Sequence, residues 1–278
     1  MPVPTIAATF RKHANFAVDD EVTLFRKLAN AVVNGSRSVF IDETHGATKC
    51  NVSFNLTTGI NRRCEISDLL IIARSGTSQS LRATFWQAKK AVKPKWVSHG
   101  TSDKHIDFKG DFDQWDLLSR RPTIQGVKPF NPPADLLQSF DSSSIGSFGV
   151  FYERNSQIEV MHSVAEFLSC ASPKTASPTL LANAYLEPYR YMHGEAVVRS
   201  ELEPFLAALF DHQIGAYLHR NYPQHQWLVN YAKAKAASAG PGQQLPADFF
   251  DGFNVNQVPD SMPERDGLSL LFVDTRRS

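Results

Sequence analysis

The spacing of apolar residues changes period along the chain. Between Asp19 and Val33, the residues Val22, Phe25, Ala29 and Val32 recur at helical intervals and mark one apolar face. Asp19 or Asp20 suits the N-cap and Gly35 the stop, so a helix is predicted there. The period then falls to two. A short strand is expected over residues 38–42, and Val52, Phe54 and Leu56 share one face of another over residues 51–56. Glu65 to Ala73 reads EISDLLIIA, the near-continuous apolar run of a strand covered on both sides. The turn sequence SGTSQS follows at residues 75–80. Residues 81–91, LRATFWQAKKA, are strand-like in their front half. A hairpin pairing these two runs is the simplest arrangement.

The middle of the chain is looser. Residues 93–112 mix basic and polar residues around Gly100 and Gly110, and residues 113–120 suit a short helix ended by Pro122. Strands are expected over 147–153 and 158–164, and ASPKTASP at 171–178 is the clearest internal linker. Beyond it, residues 195–221 carry Val198, Leu202, Phe205, Leu206, Leu209 and Phe210 on an apolar face, which predicts a helix. Another is expected over 226–237, then a Gly/Pro/Gln loop over 238–246 and a last apolar strand over 267–273. The class is α/β. A mixed α/β core is expected over residues 1–170. A mainly helical accessory region ending in a strand is expected over 179–278, free to pack on the same domain.

Composition narrows the chemistry. The 278 residues are 42% hydrophobic and 21% charged, ordinary for a globular protein, and they suffice for a sizeable core. A net charge of +1 gives no global basic field, so binding to a polyanion requires a local patch. Cys50, Cys64 and Cys170 are odd in number and widely spaced, which argues against a zinc ribbon or a disulfide framework. A reducing, cytoplasmic setting is expected. The sequence from Met1 to Phe16 has no apolar leader core, and no run of about 18 apolar residues suggests a membrane span. His13, His45, His99 and His105 match no zinc spacing, and no GxxxxGK[ST] phosphate loop occurs.

One constellation carries chemistry. Asp68 interrupts an apolar strand, where a carboxylate is costly unless paired. Gln87 and Lys89, two apart in the next strand, project from one face, with Trp86 and Ala88 on the other. If the strands are neighbours, the three converge. Asp68 can bind a hard divalent cation, Gln87 can add a neutral oxygen, and Lys89 can orient water and counter developing negative charge. Glu65 stands three residues before Asp68, an odd offset that points it to the opposite face of a regular strand. Lys90, Lys93 and Lys95, with Trp86 and Trp96 nearby, suit phosphate contacts and base stacking.

The helix at residues 19–33, the strand with Asp68 and the strand with Gln87-Ala88-Lys89 together resemble the PD-(D/E)XK nuclease superfamily. Glutamine at the usual acidic position resembles its Mrr-type restriction endonuclease branch. The resemblance spans roughly residues 19–165, with Ser67 where proline is usual before the aspartate. It implies a restriction-endonuclease-like four-stranded mixed sheet flanked by helices. It also implies Glu21 as an acidic metal-site residue on the first helix and Gln114 as a residue that approaches the site from a later one. The implied activity is an Mg²⁺- or Mn²⁺-dependent DNA endonuclease, with restriction or anti-phage defence as its setting. Without an NTPase motif, any motor or sensor would be a separate helicase or ATPase chain. RNA cleavage shares the same site. The alternative is a catalytically weakened nuclease-like fold that binds nucleic acid or protein. The oligomeric state is left open.

Overall fold

The computed structural model describes residues 3–36, 39–42, 50–92, 97–99, 103–170, 176, 178–184, 190–237, 245–253 and 268–277. They form a mixed α/β structure with five α-helices among the described residues. In chain order the elements are α1 (Val3–His13), α2 (Glu21–Gly35), β1 (Val39–Asp42), β2 (Asn51–Asn55), β3 (Asn61–Glu65), β4 (Leu69–Arg74) and β5 (Leu81–Lys90). Next come β6 (Val97–His99), β7 (Asp103–Lys109), α3 (Phe112–Arg120), β8 (Ile124–Gly126), β9 (Gly146–Arg154) and β10 (Gln157–Val164). The remainder are β11 (Ser169–Cys170), β12 (Thr179–Ala184), β13 (Arg190–His193), β14 (Ala196–Ser200), α4 (Leu202–Phe210), β15 (Ala216–Leu218), α5 (Pro223–Ala237) and β16 (Ser269–Asp274).

The main sheet runs β1-β16-β4-β5-β9-β10-β14-β13, with β15 added to β5. It is mixed because β16 lies parallel to β4 and β5 parallel to β9, whereas the other pairings are antiparallel. Alternation divides its side chains between two cores. Leu69, Ile71, Trp86 and Ala88 pack with α1, α2 and α4 on one side. Leu70, Ile72, Phe85 and Phe148 pack on the other with Leu117 and Leu118 of α3 and Leu228, Val229 and Tyr231 of α5. Two smaller sheets, β3-β2-β8 and β11-β12-β7-β6, complete the fold.

The second half differs from the expected helical region. Residues 195–221 form β14, α4 and β15 rather than one helix. Val197 and Val198 are β-branched and buried in β14, and Gly215 at φ +87° bends the chain so that β15 pairs with β5. A Cβ on Gly215 would stand 2.4 Å from the carbonyl oxygen of Ala83, so the turn requires glycine. The strand expected over 267–273 is β16, and it inserts between β1 and β4. The accessory region is therefore built into the same sheet as the first half. Apolar periodicity alone could not separate these short strands from one long helix.

Two further differences bear on the site. The run from Glu65 to Ala73 is not one strand. Glu65 pairs with Asn51 in the small sheet, while Leu69 pairs with Trp86 in the main one, so the chain changes sheets across residues 66–68. The segment before Asp19 also forms α1, whose Ile6, Ala7 and Phe10 are fully buried against the α2 and α4 side. The expected linker at 171–178 falls almost wholly outside the described residues.

Trp86 fixes the spacing of β5 and β9. Its ring crosses Gly149, where an added Cβ would lie 1.5 Å from Cζ2. Phe25 and Phe151 pack around the same indole, each about 6 Å from it between ring centroids. Gly149→Ala should lower the unfolding free energy by about 1–3 kcal/mol through overpacking, read as a lower urea midpoint. An unchanged midpoint would show that the indole does not hold these strands.

Candidate active site

Asp68 sits at the mouth of the β4–β5 pair. Leu69 lies opposite Trp86, so one further step of the antiparallel register sets Asp68 opposite Gln87. One oxygen, Oδ2, accepts from Gln87 Nε2 at 2.7 Å and from the Ala88 backbone N–H at 2.7 Å. These two charge-assisted bonds offset the cost of a half-buried carboxylate. Burial nevertheless raises the Asp68 pKa, against the lowering by Lys89 and by the two donors.

Gln87 is almost fully buried at 1% exposure, and with its amide nitrogen given to Asp68, its Oε1 has no hydrogen-bond partner. A buried amide oxygen without a donor costs about 1–3 kcal/mol, so this orphan calls for a ligand or water. Lys89 follows two residues on. Its Nζ donates to Glu21 Oε1 at 3.3 Å. Glu21 opens α2, after Asp20 caps the helix by accepting from Thr23 N at 2.7 Å. The Glu21 pKa is raised by burial, held back by Lys89 and raised again by the charge of Asp68. The two carboxylates thus feel one another across Lys89.

Glu65 joins this group because the strand breaks. It ends β3 on the neighbouring sheet, where regular alternation through Asp68 no longer applies. Burial and the Asp68 charge raise its pKa to about 7, opposed by Lys89. Periodicity assigned it to the far face. The signal that would have corrected this was the pairing partner of Glu65, which is not visible in the run itself.

The flanking candidates separate. Lys90 Nζ donates to the Asp19 carbonyl at 2.9 Å and lies 4.4 Å from the Phe16 ring centroid, so it fastens the entry to α2. Gln114 is half-buried on α3 and makes no hydrogen bond with Asp68, Gln87 or Lys89. Lys93 and Lys95 lie outside the described residues.

The set suits a hard divalent cation in a particular way. Among the described residues no three His, Cys, Asp or Glu side chains are gathered closely enough to hold a metal by themselves. Asp68 with the unpartnered Gln87 oxygen instead offers one carboxylate and one neutral oxygen, with Glu21 near. Mg²⁺ commonly takes one or two carboxylates and completes its shell with water and phosphate. The donor chemistry therefore fits Mg²⁺ or Mn²⁺ and gives no reason to expect zinc. Compared with protein-family models, curated proteins and solved structures, the chain matches none of them.

The carboxyl group of Glu65 makes a sign-definite prediction. Its folded pKa is raised from 4.5 to about 7, so between these values the folded state binds more protons than the unfolded chain. Its contribution to stability falls as pH rises through that window and is level above it. Glu65→Gln should flatten this part of the curve of unfolding free energy against pH and should stabilise the protein more at pH 8 than at pH 4. Parallel curves for the two proteins would refute the placement.

Proposed function

We propose that the chain is a metal-dependent phosphodiesterase, most simply a DNA endonuclease, with Asp68, Gln87 and Lys89 at its centre. The observation that carries this reading is the buried, unpartnered Oε1 of Gln87 beside the doubly bonded carboxylate of Asp68. Support also comes from the arrangement around it, with α2, β4 and β5 followed by α3 and by β9 parallel to β5. That order suits the restriction-endonuclease-like mixed sheet flanked by helices which the Gln87-Ala88-Lys89 motif implies.

Asp68 and Gln87 would hold the cation, with Glu21 as a further acid. When bound, such a cation lowers the pKa of its water and neutralises charge on the phosphoryl oxygens. The chain supplies the rest. The Ala88 N–H fixes the rotamer of Asp68. The Lys89 ammonium, steered by Glu21, donates toward the attacking water or a phosphate oxygen and counters charge that grows in the transition state. The same pair keeps Glu21 within reach of the site before substrate arrives. Restriction or anti-phage defence is the proposed setting, with any helicase or ATPase on a separate chain. No helix among the described residues is long and apolar enough to cross a membrane.

A second reading follows because, among the described residues, no three acidic, His or Cys side chains are close enough to hold a metal by themselves. In it the fold retains a weakened site and acts as a nucleic-acid- or protein-binding subunit. Cleavage decides between the two. Supercoiled plasmid with Mg²⁺ or Mn²⁺ should be nicked or linearised by the protein, and Asp68→Ala and Lys89→Ala should each lower the rate about 10²–10³-fold, as for loss of one preorganised electrostatic group. Equal cleavage by all three proteins would refute the site. Mn²⁺ should also raise the melting temperature of the parent and not of Asp68→Ala, because only a folded-state ligand stabilises. Absence of both effects would favour the binding subunit.

A further inference from the structure

A cavity of ≈ 410 Å³ lies away from Asp68, where β5, β15, the β13–β14 turn and the end of α3 converge. Arg82 lines it from β5, five residues before Gln87 and so about 17 Å along the strand. The volume falls at the small end of ligand pockets, which run from about 300 to 1,000 Å³. Its lining is neither apolar nor of one sign. Two guanidinium groups, Arg82 and Arg121, share it with three carboxylates, Asp141, Glu166 and Glu195.

Part of this charge is paired within the protein. Arg82 is buried and stacks on the Tyr217 ring at 3.9 Å. It donates to the Gly215 carbonyl at 3.1 Å and to Glu195 Oε2 at 3.3 Å. Tyr217 donates to the same Glu195 oxygen at 2.6 Å. Asp141 lies 3.2 Å from His219 Nε2. Arg121 and Glu166 are left over. Both line the cavity, and neither makes an ion pair among the described residues.

The Arg121 guanidinium is aimed by a carbonyl and not by an acid. Its Nη1 donates to the Phe140 oxygen at 2.9 Å, and Nη2 makes no hydrogen bond among the described residues. Residue 121 also closes α3 in the left-handed region, at φ +55°. Glycine would take that position at lower cost, so the cap alone does not account for arginine. Glu166 is exposed in the single turn Ala165–Phe167 that follows β10.

A ligand carrying one sign of charge would be drawn by one of these residues and repelled by the other. A small molecule with an anionic end and a cationic end satisfies both. We propose that this cavity binds a small zwitterion of amino-acid type, with its carboxylate on Arg121 and its ammonium on Glu166. Arg82, Glu195 and Tyr217 border the same space with their charges already balanced, so they shape it without favouring either sign. A free α-amino acid and a short peptide both carry this chemistry. The site is separate from Asp68 and does not depend on the nuclease reading.

The full-length protein is screened by thermal melting against the standard amino acids, diglycine and triglycine, and each hit is titrated by calorimetry. At least one should raise the melting temperature, since a ligand of the folded state stabilises it. The N-acetyl derivative of that ligand lacks the ammonium and its methyl ester lacks the carboxylate. Each should bind about tenfold or more weakly, the loss expected for one charged hydrogen bond. Arg121→Gln and Glu166→Gln should weaken the unblocked ligand by a similar factor, and Arg121→Lys should restore part of the affinity. In Glu166→Gln the acetylated and free forms should bind alike, and in Arg121→Gln the ester and free forms should. Lys233→Ala, which removes an exposed cation on α5, should change nothing. Melting of the unliganded variants establishes that each folds.

A response to free amino acids alone or to peptides alone supports the proposal and names the source. No shift and no heat with any of these compounds would overturn it. Equal binding of the blocked and unblocked forms to the parent protein would do the same, as would unchanged affinity in both Arg121→Gln and Glu166→Gln.

Discussion

Everything at the candidate site depends on where β4 meets β5. The pairing of Leu69 with Trp86 sets Asp68 within reach of two donors from the neighbouring strand, one backbone and one side chain. A shift of one residue would turn Gln87 and Lys89 into the helix-side core and bring Trp86 and Ala88 to the site face. The indole prevents it. Trp86 fits only over Gly149, which itself belongs to the strand paired in parallel with β5. The geometry of three polar residues is thus held by the packing of one aromatic ring on the opposite face of the same strand.

The electrostatics follow from that placement. Three carboxylates, Glu21, Glu65 and Asp68, are held near one ammonium, and burial raises the pKa of each. Such an arrangement is strained in charge: more acids than cations share a partly desolvated space. Lys89 relieves part of the excess, and a divalent ion would relieve more. Proton uptake relieves it as well, since each of the three carboxyls has its pKa raised, Glu65 to about 7.

Much of this was legible in the sequence. Asp68 stood out because its surroundings are apolar, and the two-residue spacing of Gln87 and Lys89 gave their shared face. The N-cap region of α2, the strands β2, β5, β9 and β10, and α3 all follow from period and punctuation. Glu65 was misplaced because a continuous apolar run conceals a change of sheet. The second half was misread because Val198, Leu202, Phe205 and Leu209 fit a helical period, although Gly215 and the β-branched pair Val197 and Val198 divide the segment. Long-range pairing decided these cases, and local pattern carries little information about it.

The position of β16 has a temporal consequence. It lies between β1 and β4 and pairs in parallel with β4 about 200 residues after it in the chain. Until residues 269–274 are made, β4 is an edge strand and the Asp68 end of the sheet lacks its outer support. A nascent chain, made at roughly 5–20 residues per second, thus spends at least about ten seconds with one side of this strand unpaired. Late closure of the sheet ties the geometry around Asp68 to β16, so interrupted synthesis leaves one edge of β4 open.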